Sequence, residues 1–319
     1  MRLTIGSRGS KLALWQAHWV RDQLAAGGHE IEIRIIKTTG DKLQAVAPGE
    51  PLPDSMAKTV AEAGSKGLFI KEIEEALLAG EIDVAVHSLK DLPTEQPAGL
   101  SLGAVPARED ARDIFISRNG KPLEMMPPGA RVATSSLRRQ TQLRALRPDV
   151  VSVAMRGNLD TRLRKLERGD CEALVLAAAG VHRLGLTDQI TAYFSPAQMC
   201  PAVGQGALGI EIRADDWRAR EAVTRLDDLA THQAVRAERA VLRRLGGGCQ
   251  VPIAAHAELE DGQLRLQGLV ANLDGTQIIR AQTRGPASDP EALGAAVAED
   301  LLRQGAKEIL DALSETKHL

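Results

Sequence analysis

The chain reads as an α/β protein of two lobes joined by two crossovers, followed by a small α+β domain with an antiparallel sheet of three strands. Three observations predict this. Strand–turn–helix units recur through the first two thirds of the chain. Two segments, 106–113 and 196–206, interrupt that recurrence, and from about Thr231 it gives way to hairpin signals bracketed by helices. A chain of 319 residues exceeds what one hydrophobic core usually serves. The expected division is 1–107 with 202–225, then 108–201, then 229–319.

Residues 3–7 form a short apolar strand that ends in the small polar turn Gly6-Ser7-Arg8-Gly9-Ser10. Leu12, Trp15, Trp19 and Leu24 follow on one helical stripe, and Ile31 to Lys37 is rich in β-branched residues. A β-α-β unit with a parallel strand pair is expected. Its polar turn at a helix start is either an anion site or a capping turn. Thr38 to Lys66 holds Pro48, Pro51 and Pro53 without sustained periodicity, and loops of that length are commonly functional lids. Phe69, Ile73, Ala76 and Leu77 mark an amphipathic helix closed by Gly80. Ile82 to Val86 is an apolar strand that delivers His87-Ser88-Leu89-Lys90-Asp91. Ligands of open α/β sheets bind at the carboxyl ends of strands, which makes Lys90 and Asp91 site candidates.

The second lobe repeats the theme, with strands at 114–117, 131–134, 150–155 and 173–177. Their ends present Ser135 and Ser136 with Arg138 and Arg139, then Arg156 and Gly157, then Arg183. Arg162 lies on the helix after the third of these strands. Guanidinium forks suit bidentate recognition of carboxylate or phosphate. Net charge is only −2, so this concentration of cations is local and points to a polyanionic ligand. Leu208 to Arg213 then returns as a strand to the first lobe.

In the last domain, a helix carrying Val235, Val241, Leu242 and Leu245 stops at Gly246-Gly247-Gly248, leaving Cys249 at a turn before Pro252. Glycines permit close approach of a ligand, and accessibility is the first requirement for thiol chemistry. Asp261-Gly262 and Asp274-Gly275 are hairpin signals, and a single closing helix is expected from Pro290 to Leu313.

Near-neutral charge and 2% aromatic residues argue against a nucleic-acid binder, since stacking platforms are scarce. No apolar run reaches the roughly 20 residues of a membrane span. The N-terminus has no signal-peptide pattern, and three widely spaced cysteines fit reduced thiols better than a disulfide framework, so a cytoplasmic protein is expected. No ligand spacing predicts a metal.

Seven blocks, taken together and in order, resemble the porphobilinogen deaminase (hydroxymethylbilane synthase) family. They are Ser7-Arg8-Gly9-Ser10 with Leu12 to Gln16, Lys66-Gly67-Leu68-Phe69, and Val86 to Asp91, then Thr134 to Arg139, Arg156-Gly157-Asn158, Ala202 to Gly206, and Gly248 to Pro252. The resemblance implies two periplasmic-binding-protein-like lobes and a transferase of tetrapyrrole (haem) biosynthesis, acting as a monomer. Such an enzyme condenses four porphobilinogen molecules into hydroxymethylbilane with release of four ammonia. It further implies a dipyrromethane cofactor on Cys249 through a thioether, with Asp91 as catalytic carboxylate. Lys90, Asp91, Ser135, Ser136, Arg138, Arg139, Arg156, Gly157 and Arg162 would hold the cofactor. Arg8, Ser10, Gln16, Lys66, Arg183 and Gln205 would meet substrate. Each pyrrole brings two carboxylates, which agrees with the arginines, and Lys90 beside Asp91 favours its ionised form. Glu62 stands where the family usually has a second lysine, and the loop before Lys66 is long. Two other readings remain open: a non-enzymatic two-lobed anion receptor, and a thiol acyl transferase using Cys249 with His256 as base.

Overall fold

The computed structural model describes residues 1–41, 68–246 and 251–315. Contacts gather the chain into two compact units, Met1–Arg108 with Ala207–His232, and Glu109–Gly206 with Gln233–Leu319.

The first unit is built on one sheet. β1 (Arg2–Ser7) pairs in parallel with β2 (Glu30–Ile35) and β3 (Val84–Ser88), with α1 (Lys11–Ala26) between β1 and β2. β10 (Leu208–Arg213) enters antiparallel between β3 and β4 (Leu100–Ala104), giving the order β2-β1-β3-β10-β4. Both faces are covered. Val84, Val86, Ile210 and Ile212 pack against Val20 and Leu24 of α1 and Val223 of the helix Trp217–Thr224. Ala85 and Ile82 pack against Ile73 and Leu77 of α2 (Lys71–Leu78). Alternation along a strand explains why consecutive residues serve opposite layers.

The second unit contains two sheets. The larger has the order β7-β6-β8-β5-β9, from β5 (Asp113–Ser117), β6 (Arg131–Ala133), β7 (Val151–Val153), β8 (Ala173–Ala177) and β9 (Ala192–Tyr193). Leu163 and Leu166 of α4 (Leu159–Arg168) cover one face, and Leu143 of α3 (Leu137–Leu146) the other. Gly169 ends α4 at φ 86°, a left-handed cap open to a residue without Cβ. The smaller sheet is antiparallel, β11 (Ile253–Glu260), β12 (Gln263–Ala271) and β13 (Ile278–Pro286), with positive φ at both Asp261 and Gly262 in the first hairpin. It packs against the helices Leu229–Arg244 and Pro290–Leu301. Wholly buried Glu238 ties these parts together, accepting from Gly204 N at 2.7 Å and Ala257 N at 2.8 Å.

Three features differ from the sequence reading. The closing helix is not single: a wider turn at Leu302–Ala306, with Gly305 at φ 99°, separates Pro290–Leu301 from Lys307–Glu315. β3 runs two residues later than expected, so His87 and Ser88 belong to the strand. β4, β9 and the helix Trp217–Thr224 were not foreseen, because short glycine-containing or two-residue strands have no periodicity and exist only through their partners.

Candidate active site

In the first unit, adjacent parallel strands β1 and β3 carry their carboxyl ends to the same sheet edge. The turn after β1 is held by its own serines. Ser10 caps α1 by accepting from Ala13 N at 3.3 Å, and Ser7 Oγ donates to Ala13 O at 3.2 Å. Arg8 pairs with Asp41 at 2.5 Å and lies 4.2 Å from the Phe69 ring centroid. Burial would raise the Asp41 carboxyl, but hydrogen bonds from Arg8 and Thr38 and the Arg8 charge draw it below the ordinary range. Gln16, 3% exposed, donates to Ser88 Oγ at 2.9 Å and so joins α1 to the end of β3.

Beyond Ser88 a single 3-10 turn, Leu89–Asp91, leaves the sheet. Leu89 and Leu92 are buried while Asp91 is exposed and Lys90 is half-buried. Two apolar anchors thus hold a short rigid turn whose carboxylate faces outward. That is a favourable setting for a group that must meet a ligand without rearranging.

In the second unit, the arginines are sorted by depth. Arg138 and Arg139, in the first turn of α3, are 5% and 7% exposed and turn inward onto Asp113, which is wholly buried. Arg138 Nη1 donates to Asp113 Oδ2 at 2.7 Å and to Cys200 O at 2.6 Å, and Arg139 Nε donates to Asp113 Oδ1 at 2.9 Å. Gln205 Nε2 donates to the same Oδ1 at 2.9 Å and to Ala111 O at 2.7 Å. Burial alone would raise the Asp113 carboxyl, but the charges of Arg138 and Arg139 outweigh it and hold it at about 2. Two guanidiniums thus share one buried carboxylate.

Arg162 and Arg183 lie in the same unit. Arg162 Nε donates to Gly157 O at 2.8 Å, and no acidic partner is recorded for it among the described residues. Burial, and then the charge of Arg139, draw its guanidinium down to about 10. Gly157 takes φ 118°, and a Cβ there would meet Thr161 Cγ2 at 2.8 Å, so this bend requires glycine. Arg183, also drawn down to about 10 by burial against the opposing pull of Glu109, donates to Gly206 O at 2.7 Å. Arg156 is exposed. Ser135 Oγ accepts from Met155 N at 3.0 Å and donates to Met155 O at 2.9 Å, clamping the chain just ahead of Arg156. Ser136 sits at the N-terminus of α3, and its backbone N–H donates to Thr134 Oγ1 at 3.3 Å.

Cys249 and Lys66 lie outside the described residues, as do Glu62 and all but the first few residues of the expected lid. The two described cysteines are buried, and burial pushes Cys200 up to about 12 and Cys171 up to about 11, so thiolate is scarce at both. His256 is buried in β11, 3.0 Å from Glu258 and 3.6 Å from Glu238. Its ring is therefore committed to carboxylates, which weakens the acyl-transferase reading. The structure also brings out groups that the sequence reading passed over. Asp113 reads only as the last residue of a crossover and Asp41 as part of a loop, and Glu238 is not singled out at all. No periodicity marks them, because each acts through a partner that is remote in sequence.

Residues 3–221 match the family model described as porphobilinogen deaminase, dipyromethane cofactor binding domain, and residues 232–303 match the C-terminal domain of porphobilinogen deaminase. A protein of Desulforudis audaxviator named porphobilinogen deaminase is 53% identical over 97% of this chain and 96% of its own length. One of Syntrophobacter fumaroxidans with the same name is 49% identical over 97% of each chain. Among solved structures, the methionine binding protein MetQ aligns with 73% of this chain and 90% of its own at TM-score 0.43 and 12% identity, a level that carries no functional inference. The chain belongs to the porphobilinogen deaminase family.

Proposed function

We propose that this chain is a cytoplasmic, monomeric transferase of tetrapyrrole biosynthesis that joins four porphobilinogen molecules head to tail and releases four ammonia to give hydroxymethylbilane. The three-domain division 1–107 with 202–225, 108–201 and 229–319 is part of the same proposal. The observation that supports it is the gathering of buried guanidiniums at the strand ends of the second unit, where Arg138 and Arg139 share Asp113 and the largely buried Arg162 has no acidic partner among the described residues. A desolvated guanidinium without an acidic partner is costly, and it is retained where an anion completes it.

A dipyrromethane, with two carboxylates on each ring, fits that donor set in the sign of its charge. Cys249 would hold it through a thioether, and Ser135, Ser136, Arg138, Arg139, Arg156, Gly157 and Arg162 would hold its side chains. When bound, it supplies the nucleophilic pyrrole carbon on which the new bond forms. The chain's own residues do the rest. Arg8, Ser10, Gln16, Lys66, Arg183 and Gln205 orient the incoming porphobilinogen. Asp91, with Lys90 beside it, holds pyrrole N–H groups and stabilises the delocalised cation left when ammonia departs. A carboxylate on a turn anchored by Leu89 and Leu92 is preorganised for that charge and needs no rearrangement at the moment of reaction.

The test is the intact mass of protein purified in active form. A stable addition of two pyrrole units, lost on Cys249→Ser, is expected; an unmodified mass with full activity refutes the assignment.

A further inference from the structure

Four residues before Asp91, strand β3 buries a titratable group that the proposed reaction does not use. His87 is 7% exposed and Glu211, on β10, is wholly buried. His87 Nε2 lies 3.2 Å from Glu211 Oε2. His87 is paired with Gly209, and Ala85 with Glu211, so alternation puts all four on the sheet face that α2 covers. Glu74 belongs to that helix, and its carboxyl is pushed up to about 6 by burial and then by the charge of Glu211, with His87 opposing and Glu75 adding to the rise. Gln96 donates to Glu211 Oε1 at 3.3 Å. Among the described residues, the other charged groups of this layer are engaged elsewhere, Lys71 with Glu75 on the outer side of α2. Arg213 turns to Asp83, Asp216 and the carbonyls of Leu77 and Ile82, and Glu72 accepts from Thr39.

Glu211 thus faces the imidazole directly, and Glu74, on the helix that covers this face, is near enough to feel the charge of both. Glu74 Oε1, His87 Nε2 and Glu211 Oε2 are buried without a hydrogen bond, the His87–Glu211 approach being close but off the hydrogen-bonding line. Each such atom costs about 1–3 kcal/mol, so stability does not account for the group.

The same face seats the turn that carries Asp91. Leu89 N donates to Ala207 O at 3.0 Å. A Cβ at Gly209 would lie 2.9 Å from Leu89 Cδ1 and 2.9 Å from Leu92 Cδ1, so both anchors rest on bare backbone directly beside the His87–Glu211 pair.

We propose that His87, Glu211 and Glu74 form a buried positioning group that sets where the Leu89–Asp91 turn leaves the sheet, and that a proton taken up among them resets it. With Glu74 ionised, its charge opposes that of Glu211. With Glu74 protonated, that repulsion is relieved and the packing around His87 readjusts. Neither state touches substrate; both act through β3, β10 and the leucine anchors. The inference rests on the reading of Asp91 as the reacting carboxylate.

The experiment compares pH profiles of kcat and KM for the cofactor-loaded enzyme and its Glu74→Gln, Glu211→Gln and His87→Gln variants, with cofactor load checked by mass. In the parent, kcat changes with an inflection near pH 6. Glu74→Gln keeps the load and its KM within about twofold, but loses that inflection. Glu211→Gln and His87→Gln lower kcat by about tenfold or more through misplacement of the turn. Because Glu211→Gln and His87→Gln disturb the core, Glu74→Gln is decisive by itself: a kcat profile that superimposes on the parent's overturns the proposal. Asp91→Ala separates the two levels. If it retains turnover, the reading of Asp91 fails; if it abolishes turnover while the Glu74→Gln profile stays parental, only the positioning group fails.

Discussion

The strand ends of the two units handle charge in opposite ways. In the first unit the cation of Arg8 is neutralised at once by Asp41, and the group left open is a carboxylate, Asp91, on a short turn anchored by leucines. In the second, the strand ends gather guanidiniums. Asp113 is shared between two arginines, and Arg162 has no recorded acidic partner among the described residues. An exposed anion is inexpensive to keep ready for reaction, whereas buried cations bind a multiply charged ligand only if they are preorganised. The contrast suits the proposed division, with reaction in the first unit and retention of anions in the second.

The largest expected effect tests the buried half of that contrast. Arg138→Leu leaves Asp113 with one guanidinium in a dry interior and lowers stability by about 3–5 kcal/mol, as measured by denaturant unfolding. Cofactor load, read by intact mass, falls with it. If the double variant Arg138→Leu with Asp113→Asn regains stability but not load, the arginine serves the ligand as well as the fold. If both return, it serves the fold alone.

Asp91→Ala comes next, on the exposed half. Secondary structure and cofactor load are retained, and turnover falls by about 10²–10³-fold, the usual loss on removing one preorganised electrostatic group. Near-parental turnover would erase the proposed difference between the units.

Acid provides a smaller, more local probe. Asp113 is held at about 2 in the folded protein against an ordinary 3.8. Its folded value is depressed, so its contribution is present above the unfolded value and lost as pH falls from about 4 to about 2, on the order of 2 kcal/mol. Unfolding free energy measured against pH is expected to lose that component in Asp113→Asn.

The smallest effects compare two serines of the quoted blocks. Ser10→Ala removes an α1 cap and Ser135→Ala removes both bonds to Met155, each at a stability cost of about 1 kcal/mol. Ser135→Ala also frees the chain ahead of Arg156. Its cofactor load is expected to drop while that of Ser10→Ala does not; equal loads would mean both serines are structural only.

Much of the fold was legible in the chain. The β1–α1–β2 unit, the amphipathic helix before Gly80, and the Asp-Gly hairpins all follow from patterns that operate within a few residues. The strand-end arginines were legible as a group, but their depth was not. Their place at a strand end sets Arg138 and Arg139 apart from Arg144 in sequence, but not their burial, which arises because α3 presents its first turn to Asp113, 25 residues before Arg138. β4 was missed because its pairing with β10 spans more than a hundred residues, beyond the reach of any local period.

The amino-acid sequence by itself determined the recurring strand–helix units, the positions of Asp91 and the arginines along the chain, and family membership, because local periodicity and ordered blocks are properties of the string. Only the tertiary structure decided which of those charges are neutralised. It paired Arg8 with Asp41, gave Arg138 and Arg139 a common carboxylate, and enclosed His87 with Glu211 and Glu74 beneath the Asp91 turn. Charge takes its energetic meaning from burial and from the nearest opposite charge, and both are set by contacts between residues far apart in the chain.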